Sequence, residues 1–188
     1  MSETVTPSPP SKAALPPHFG LIYAGLMVAM LLAALDQTII STALPTIVGE
    51  LNGVSDMAWV TTAYILAATI VMPVYGRLGD LIGRRSLFLG AVAIFISGSA
   101  GTGVAQDMTT LIVGRSIQGL GAGGLMILCQ SIIADLVPTR QRAKYMAPMG
   151  GVFGLASVVG PLLGGWFTDH RRLLLHPQAA AAGDEGVL

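Results

Sequence analysis

The stretch MAWVTTAYILAATIVMPVYG, residues 57–76, carries no Asp, Glu, Lys or Arg. A helix needs ~20 mostly apolar residues to cross a ~30 Å hydrocarbon core, and this run has that length. It lacks the alternation of a barrel strand, so a helix is the conformation left to it in lipid, where every backbone polar group must be satisfied internally. Outward from it, four more segments have the same character. Residues 20–49 are interrupted only by Asp36 and residues 108–134 only by Arg115, while 86–106 and 145–168 carry no charge. The expected fold is an all-α membrane protein with five transmembrane helices. Residues 1–19 are expected to form a flexible cytoplasmic tail, 20–169 the bundle, and 170–188 an aberrant or disordered tail.

Composition agrees. Of 188 residues, 53% are hydrophobic and 11% charged. Soluble domains carry about 25% charged residues, so this chain cannot coat a water-facing surface. The formal net charge is zero, which gives no basic field for nucleic acid. The single Cys129 forms no intrachain disulfide, and His18, His170 and His176 are too scattered for a metal site. No nucleophile–base set or phosphate loop is present, so neither an enzyme nor a cofactor is expected. The first 18 residues hold Pro7, Pro9, Pro10, Pro16 and Pro17 and lack the pattern of a cleavable signal, so the first helix is expected to act as the membrane address.

Charge also sets the expected orientation. Arg77, Arg84 and Arg85 follow the second helix, and Arg140, Arg142 and Lys144 follow the fourth. The alternate connections hold Glu50, Asp56 and Asp107 without Lys or Arg. Positive loops stay cytoplasmic, which places the amino terminus inside. Trp59 and Trp166 then fall at outer helix ends, and Tyr23, Tyr75 and Tyr145 at inner ends, as interfacial anchors.

Two charges remain inside the apolar runs. Asp36 lies ~22 Å along the first helix, and Arg115 ~10 Å below the outer end of the fourth, at 1.5 Å per residue. Both reach nearly the same depth, where a lone ionised group costs at least ~2.5–3.5 kcal/mol on insertion scales. They are expected to face each other or a shared watery path. Asp36 can take and release a proton while Arg115 stays charged, so the pair reads as a proton carrier and its tuner; a static ion pair that fixes packing is the alternative. Glycines mark the rest: Gly119, Gly121, Gly123 and Gly124 in the fourth helix, and Gly150, Gly151, Gly154, Gly160, Gly164 and Gly165 around the kink-permitting Pro161 in the fifth. They read either as close packing or as a surface that bends and slides during alternating access.

In order, Leu35-Asp36-Gln37-Thr38-Ile39-Ile40 running to Pro45, Gly76-Arg77-Leu78-Gly79-Asp80-Leu81-Ile82-Gly83-Arg84-Arg85, Gly114-Arg115-Ser116-Ile117-Gln118-Gly119, and Gly160-Pro161-Leu162-Leu163-Gly164-Gly165 resemble motifs of the major facilitator superfamily. Within it they resemble the fourteen-helix drug:proton antiporters, over about residues 20–169. The resemblance implies a partial major-facilitator helical bundle. It also implies proton coupling at Asp36 and Arg115, a cytoplasmic latch at Gly76, Asp80, Gly83, Arg84 and Arg85, and a helix-packing and kink motif at Gly160, Pro161, Gly164 and Gly165. Ala156 departs from the glycine expected in the longer helix 5 pattern. The latch charges also read as a plain topology signal.

The implied function is proton-coupled export of drugs or hydrophobic cations at the plasma membrane. The implied partners are the lipid bilayer, protons, a small hydrophobic or cationic substrate, and the missing carboxy-terminal half of the transporter. The alternatives are an inactive fragment, or a facilitator of another small solute. Family members continue past a fifth helix with an aromatic segment, whereas here Arg171 and Arg172 break the charge rule and an alanine run follows. One set of codons for Leu173-Leu174-Leu175-His176, shifted by one base, encodes Cys-Phe-Tyr. A frameshift near His170 is therefore the expectation. Sequencing the surrounding DNA is expected to show a shifted frame that encodes further helices; a downstream region with no such frame removes that reading.

Overall fold

The computed structural model describes residues 17–51 and 53–175. Among them five long helices follow in order: α1 Phe19–Glu50, α2 Met57–Ile82, α3 Arg84–Gly103, α4 Met108–Leu136 and α5 Arg142–Leu175. All five are long and apolar enough to cross a membrane. Short connections alternate their direction. The start of α1, the α2–α3 junction and the α4–α5 loop therefore share one end of the bundle, and the α1–α2 and α3–α4 connections share the other.

The hub is α4. It packs most extensively on α3 and α2 and also touches α1 and α5, while α1 packs chiefly on α5. In its most apolar window 56% of residues are buried, against 17–22% in the other helices. Water-driven association is weak between helices in lipid, so contact relies on close backbone approach. The glycines of α4 allow it on two sides. A side chain on Gly119 or Gly123 would run into the backbone of Tyr64 or Ala68 in α2, and one on Gly121 into the backbone of Phe95 in α3. Gly98 of α3 meets the Gln118 backbone in the same way, and Gly124 seats the Tyr75 ring. These residues form a packed surface between α4 and its two neighbours.

Three clusters fill the bundle. Phe19, Leu26, Met30, Cys129 and Ile133 close the end that holds the start of α1. Tyr64, Phe95, Ala122, Leu125 and Leu128 fill the middle. Leu44, Val48, Val60, Met108 and Leu111 close the far end. Asp107 caps α4 there: its carboxylate accepts from the Thr110 backbone N–H and from the Thr110 hydroxyl, each at 2.8 Å. The backbone bond first, and then the hydroxyl, hold the Asp107 carboxyl below its ordinary range.

The observed ends differ from the expected ones in places. Residues 77–82, expected to lie beyond the second helix, extend α2, because nothing before Gly83 interrupts the helix. Gly83 alone separates α2 from α3, at φ +91°, a conformation open to glycine and strained for other residues. α3 stops at Gly103 rather than 106, and α5 runs from Arg142 to Leu175, past the expected end at 168. Phe19, expected in the tail, opens α1 and is buried. Tyr23 and Tyr145 do meet at one end, through a 3.0 Å bond from the Tyr23 hydroxyl to the Tyr145 carbonyl. Tyr75, expected as an interfacial anchor, is instead buried against Gly124. The expectations for residues 1–16 and 176–188 lie outside the described residues.

Gly121→Val is expected to destabilise the bundle by about 1–3 kcal/mol or more through overpacking. Gly90→Ala, with nothing near its new methyl group, is expected to be close to neutral. Thermal unfolding in detergent micelles reads both.

Candidate functional site

The two intramembrane charges meet. Arg115 Nη1 of α4 lies 2.8 Å from Asp36 Oδ2 of α1. The Arg115 side chain is 1% exposed and that of Asp36 19%. Asp36 alone does not satisfy the guanidinium. Nη1 also donates to Gln118 Oε1 at 2.8 Å, and Nη2 donates to Gln37 Oε1 at 2.9 Å. The Tyr64 ring of α2 lies under the guanidinium, 4.2 Å from Cζ to the ring centre. Gln118 is one turn along α4 from Arg115 and shares its face. The cation thus has one ionic partner, two amide acceptors and an aromatic face, contributed by three helices. Arg115 Nε and Gln118 Nε2 are buried without a hydrogen-bond partner.

Beside this cluster lies a cavity of about 230 Å³, open at one side. Met30 of α1, Met72 of α2, Met126 of α4 and Phe153 of α5 form apolar walls. Gln37 and Tyr64 also line it, so two of the three side chains that touch the guanidinium from α1 and α2 stand between ion pair and cavity. Flexible thioether walls suit apolar molecules of varied shape.

At the end that holds the α2–α3 junction, Arg84 gathers a second cluster. Its Nη2 lies 2.9 Å from Asp80 Oδ1, and its Nη1 lies 2.6 Å from both Asp135 Oδ2 and the Ser131 carbonyl of α4. The junction is thereby tied to the last turn of α4. Asp80 and Asp135 are largely exposed, and exposed pairs contribute only about 0–1 kcal/mol each, so the cluster is weak enough to open. On the other side of α1, Gly160 and Gly164 of α5 seat Thr38 and Thr42. The Thr38 hydroxyl lies 3.1 Å from the Ala156 carbonyl.

A family model of the major facilitator superfamily matches residues 26–172. The chain belongs to the major facilitator superfamily. It is 47% identical to the multidrug transporter protein MdtP of Bacillus subtilis over 149 residues, which are 79% of this chain and 28% of that protein. It is 46% identical to multidrug resistance protein 3 of the same organism over 145 residues, 77% of this chain and 28% of that one. The efflux pump FUS6 of Gibberella fujikuroi matches at 39% over 170 residues, 90% of this chain and 30% of its own length. The chain thus spans under a third of the length of these relatives.

As part of a major facilitator transporter, the bundle brings Asp36 and Arg115 together, and likewise Asp80 and Arg84. Arg85 is exposed, and Gly76 has open space where a side chain would sit, so neither joins the Arg84 cluster. Gly160 and Gly164 face α1, while the position of a Gly165 side chain is open. Pro161 lies inside α5, which continues through it. Four participants carried no assigned role at the sequence level: Gln37, Tyr64, Gln118 and Asp135. Gln37 and Gln118 stood inside the quoted motifs, and a neutral amide one turn from a buried arginine was a usable signal. Asp135 lay one residue past an apolar run, and Tyr64 inside one.

Breaking a fully buried ion pair costs about 3–5 kcal/mol, and the partial exposure of Asp36 lowers that figure here. Arg115→Leu is expected to destabilise the bundle more than Asp36→Leu/Arg115→Leu does, because the single variant leaves a carboxylate without its cation. A double-mutant cycle of thermal unfolding in lipid nanodiscs measures the difference.

Proposed function

We propose that this chain forms the amino-terminal part of a proton-coupled exporter of drugs or hydrophobic cations, with Asp36 as the proton carrier and Arg115 as its partner. The observation that carries the reading is the Asp36–Arg115 pair at 2.8 Å within apolar, membrane-length helices, beside a cavity with apolar walls. Ionised Asp36 is held by the guanidinium. A proton arriving from one side of the membrane neutralises the carboxylate, weakens its tie to Arg115, and shifts the balance between two arrangements of the helices. Loss of the proton to the other side restores the pair. The names of the relatives, two multidrug proteins and an efflux pump, support the direction and the substrate class.

In this reading the basic end, with Arg84, Arg85, Arg142 and the start of α1, faces the cytoplasm of a plasma membrane. The Arg84 cluster acts as the latch: Asp80 releases or engages the carboxy-terminal half, at the positive end of a helix. Gly160 and Gly164 give α5 close contact with α1, and Pro161 gives it a point of bending. Transport by the whole assembly requires that half, because a midplane site forms between repeats.

Asp36→Asn in the complete transporter is expected to abolish proton-driven efflux from everted vesicles while leaving the amount of membrane-inserted protein unchanged. Efflux at the normal rate removes Asp36 as the coupling site.

A further inference from the structure

We propose that a recess between α1, α3 and α4 binds an anionic phospholipid, with Arg85 as the partner of its phosphate and Gly25 leaving room for an acyl chain. The site is separate from Asp36 and Arg115, neither of which lines it.

α1 and α3 lie on different flanks of α4 and scarcely touch each other. The space they leave is a cavity of about 690 Å³ at the end that holds the α2–α3 junction. Its lining changes character with depth along all three helices. His18 gives way to Leu21 and Ile22 on α1, Arg85 to Phe88 and Leu89 on α3, and Asp135 to Ile132 on α4. From His18 to Leu26 the lining runs ~12 Å along α1, at 1.5 Å per residue. A polar rim over an apolar recess matches an amphiphile whose headgroup stays at the membrane surface, whereas a free anion would use the rim alone. Gly25 lines the recess and has nothing within 4 Å of where its side chain would sit, so the wall is open there.

Charge selects the headgroup. Arg84 is already held by Asp80, Asp135 and the Ser131 carbonyl. Arg85 is exposed, and among the described residues no carboxylate pairs with it. This end of the bundle carries Arg77, Arg84, Arg85, Arg140, Arg142 and Lys144 against the carboxylates of Asp80 and Asp135. Such an excess attracts anionic lipid, and the planar fork of an arginine fits a phosphate. His18 lines the same rim and adds an N–H donor. A further helix laid in the recess is the competing occupant. It would take Arg85 out of water without bringing the anion that a phospholipid carries, and an unpaired buried charge is costly.

Native mass spectrometry of the 188-residue chain, released from detergent after titration with dioleoyl phosphatidylglycerol or dioleoyl phosphatidylcholine, reads the lipids bound per chain. The first phosphatidylglycerol is expected to bind about fivefold tighter than phosphatidylcholine, the weight of one arginine at an anionic surface. Arg85→Gln is expected to remove that preference. Arg140→Gln, at the same end but outside the recess, is expected to keep it. Gly25→Leu and Leu89→Trp fill the recess from α1 and from α3 without changing any charge. Whichever of them elutes as folded chain on size exclusion is expected to bind both lipids several-fold more weakly. Equal binding of the two lipids by the unaltered chain overturns the proposal. Equal loss in Arg85→Gln and Arg140→Gln assigns the preference to the whole basic end and overturns the site. Unchanged lipid binding by the filled variants overturns it as well. Glycerophosphoglycerol, the headgroup without acyl chains, is expected to compete poorly; competition at equal concentration shows an anion site alone and contradicts the acyl recess. A dimer mass that the filled variants abolish identifies a second copy as the occupant and rules the lipid out.

Discussion

A guanidinium that cannot shed its charge sits at 1% exposure inside a helix otherwise fit for lipid, and much of the bundle is arranged around that fact. Arg115 would carry a prohibitive desolvation cost alone. Its neutralisation draws Asp36 from α1, an acceptor from each of Gln37 and Gln118, and the ring of Tyr64 from α2. Removing any one partner changes what the others must do. Electrostatics fixes the mutual position of α1, α2 and α4 at this depth, and the apolar clusters above and below fill the space that remains.

That arrangement depends in turn on glycine. The guanidinium reaches the Tyr64 ring because α2 lies close against α4, and α2 lies close because Gly119 and Gly123 present no side chain to its carbonyls. Gly121 and Gly98 do the same between α3 and α4. In lipid such contacts supply the association that water-driven burial supplies elsewhere. Close packing and charge pairing therefore support each other, since tight helices hold the polar cluster away from acyl chains. At the junction end the balance differs. The exposed carboxylates around Arg84 give a tie that is easily broken.

Much of this was legible from residue order. Runs such as 57–76 are too long and too apolar for anything but spanning helices, and counting residues from the helix ends put Asp36 and Arg115 at one depth, where the structure pairs them. Helix ends were less legible. Residues 77–82 carry the charges of a loop yet stay helical until Gly83, because charge marks the membrane boundary rather than the end of a helix. Tyr75 looked like an interfacial anchor and is buried, since its place is set by Gly124 on another helix. The amides around Arg115 drew no assignment because neutral polar residues hardly disturb a hydropathy pattern. Their importance lies in which charge they reach. Asp135 joins Arg84 only across helices, and no spacing within one segment reports that.

Asp36 and Arg115 pair at a depth where both helices are otherwise apolar. Solid-state NMR on the chain in bilayers, with the Asp36 carboxyl carbon and the Arg115 guanidinium nitrogens labelled, measures it most directly. A strong dipolar coupling, as expected for a nitrogen–oxygen separation of 2.8 Å, is the predicted result. A folded chain in which those labels show no coupling contradicts the account.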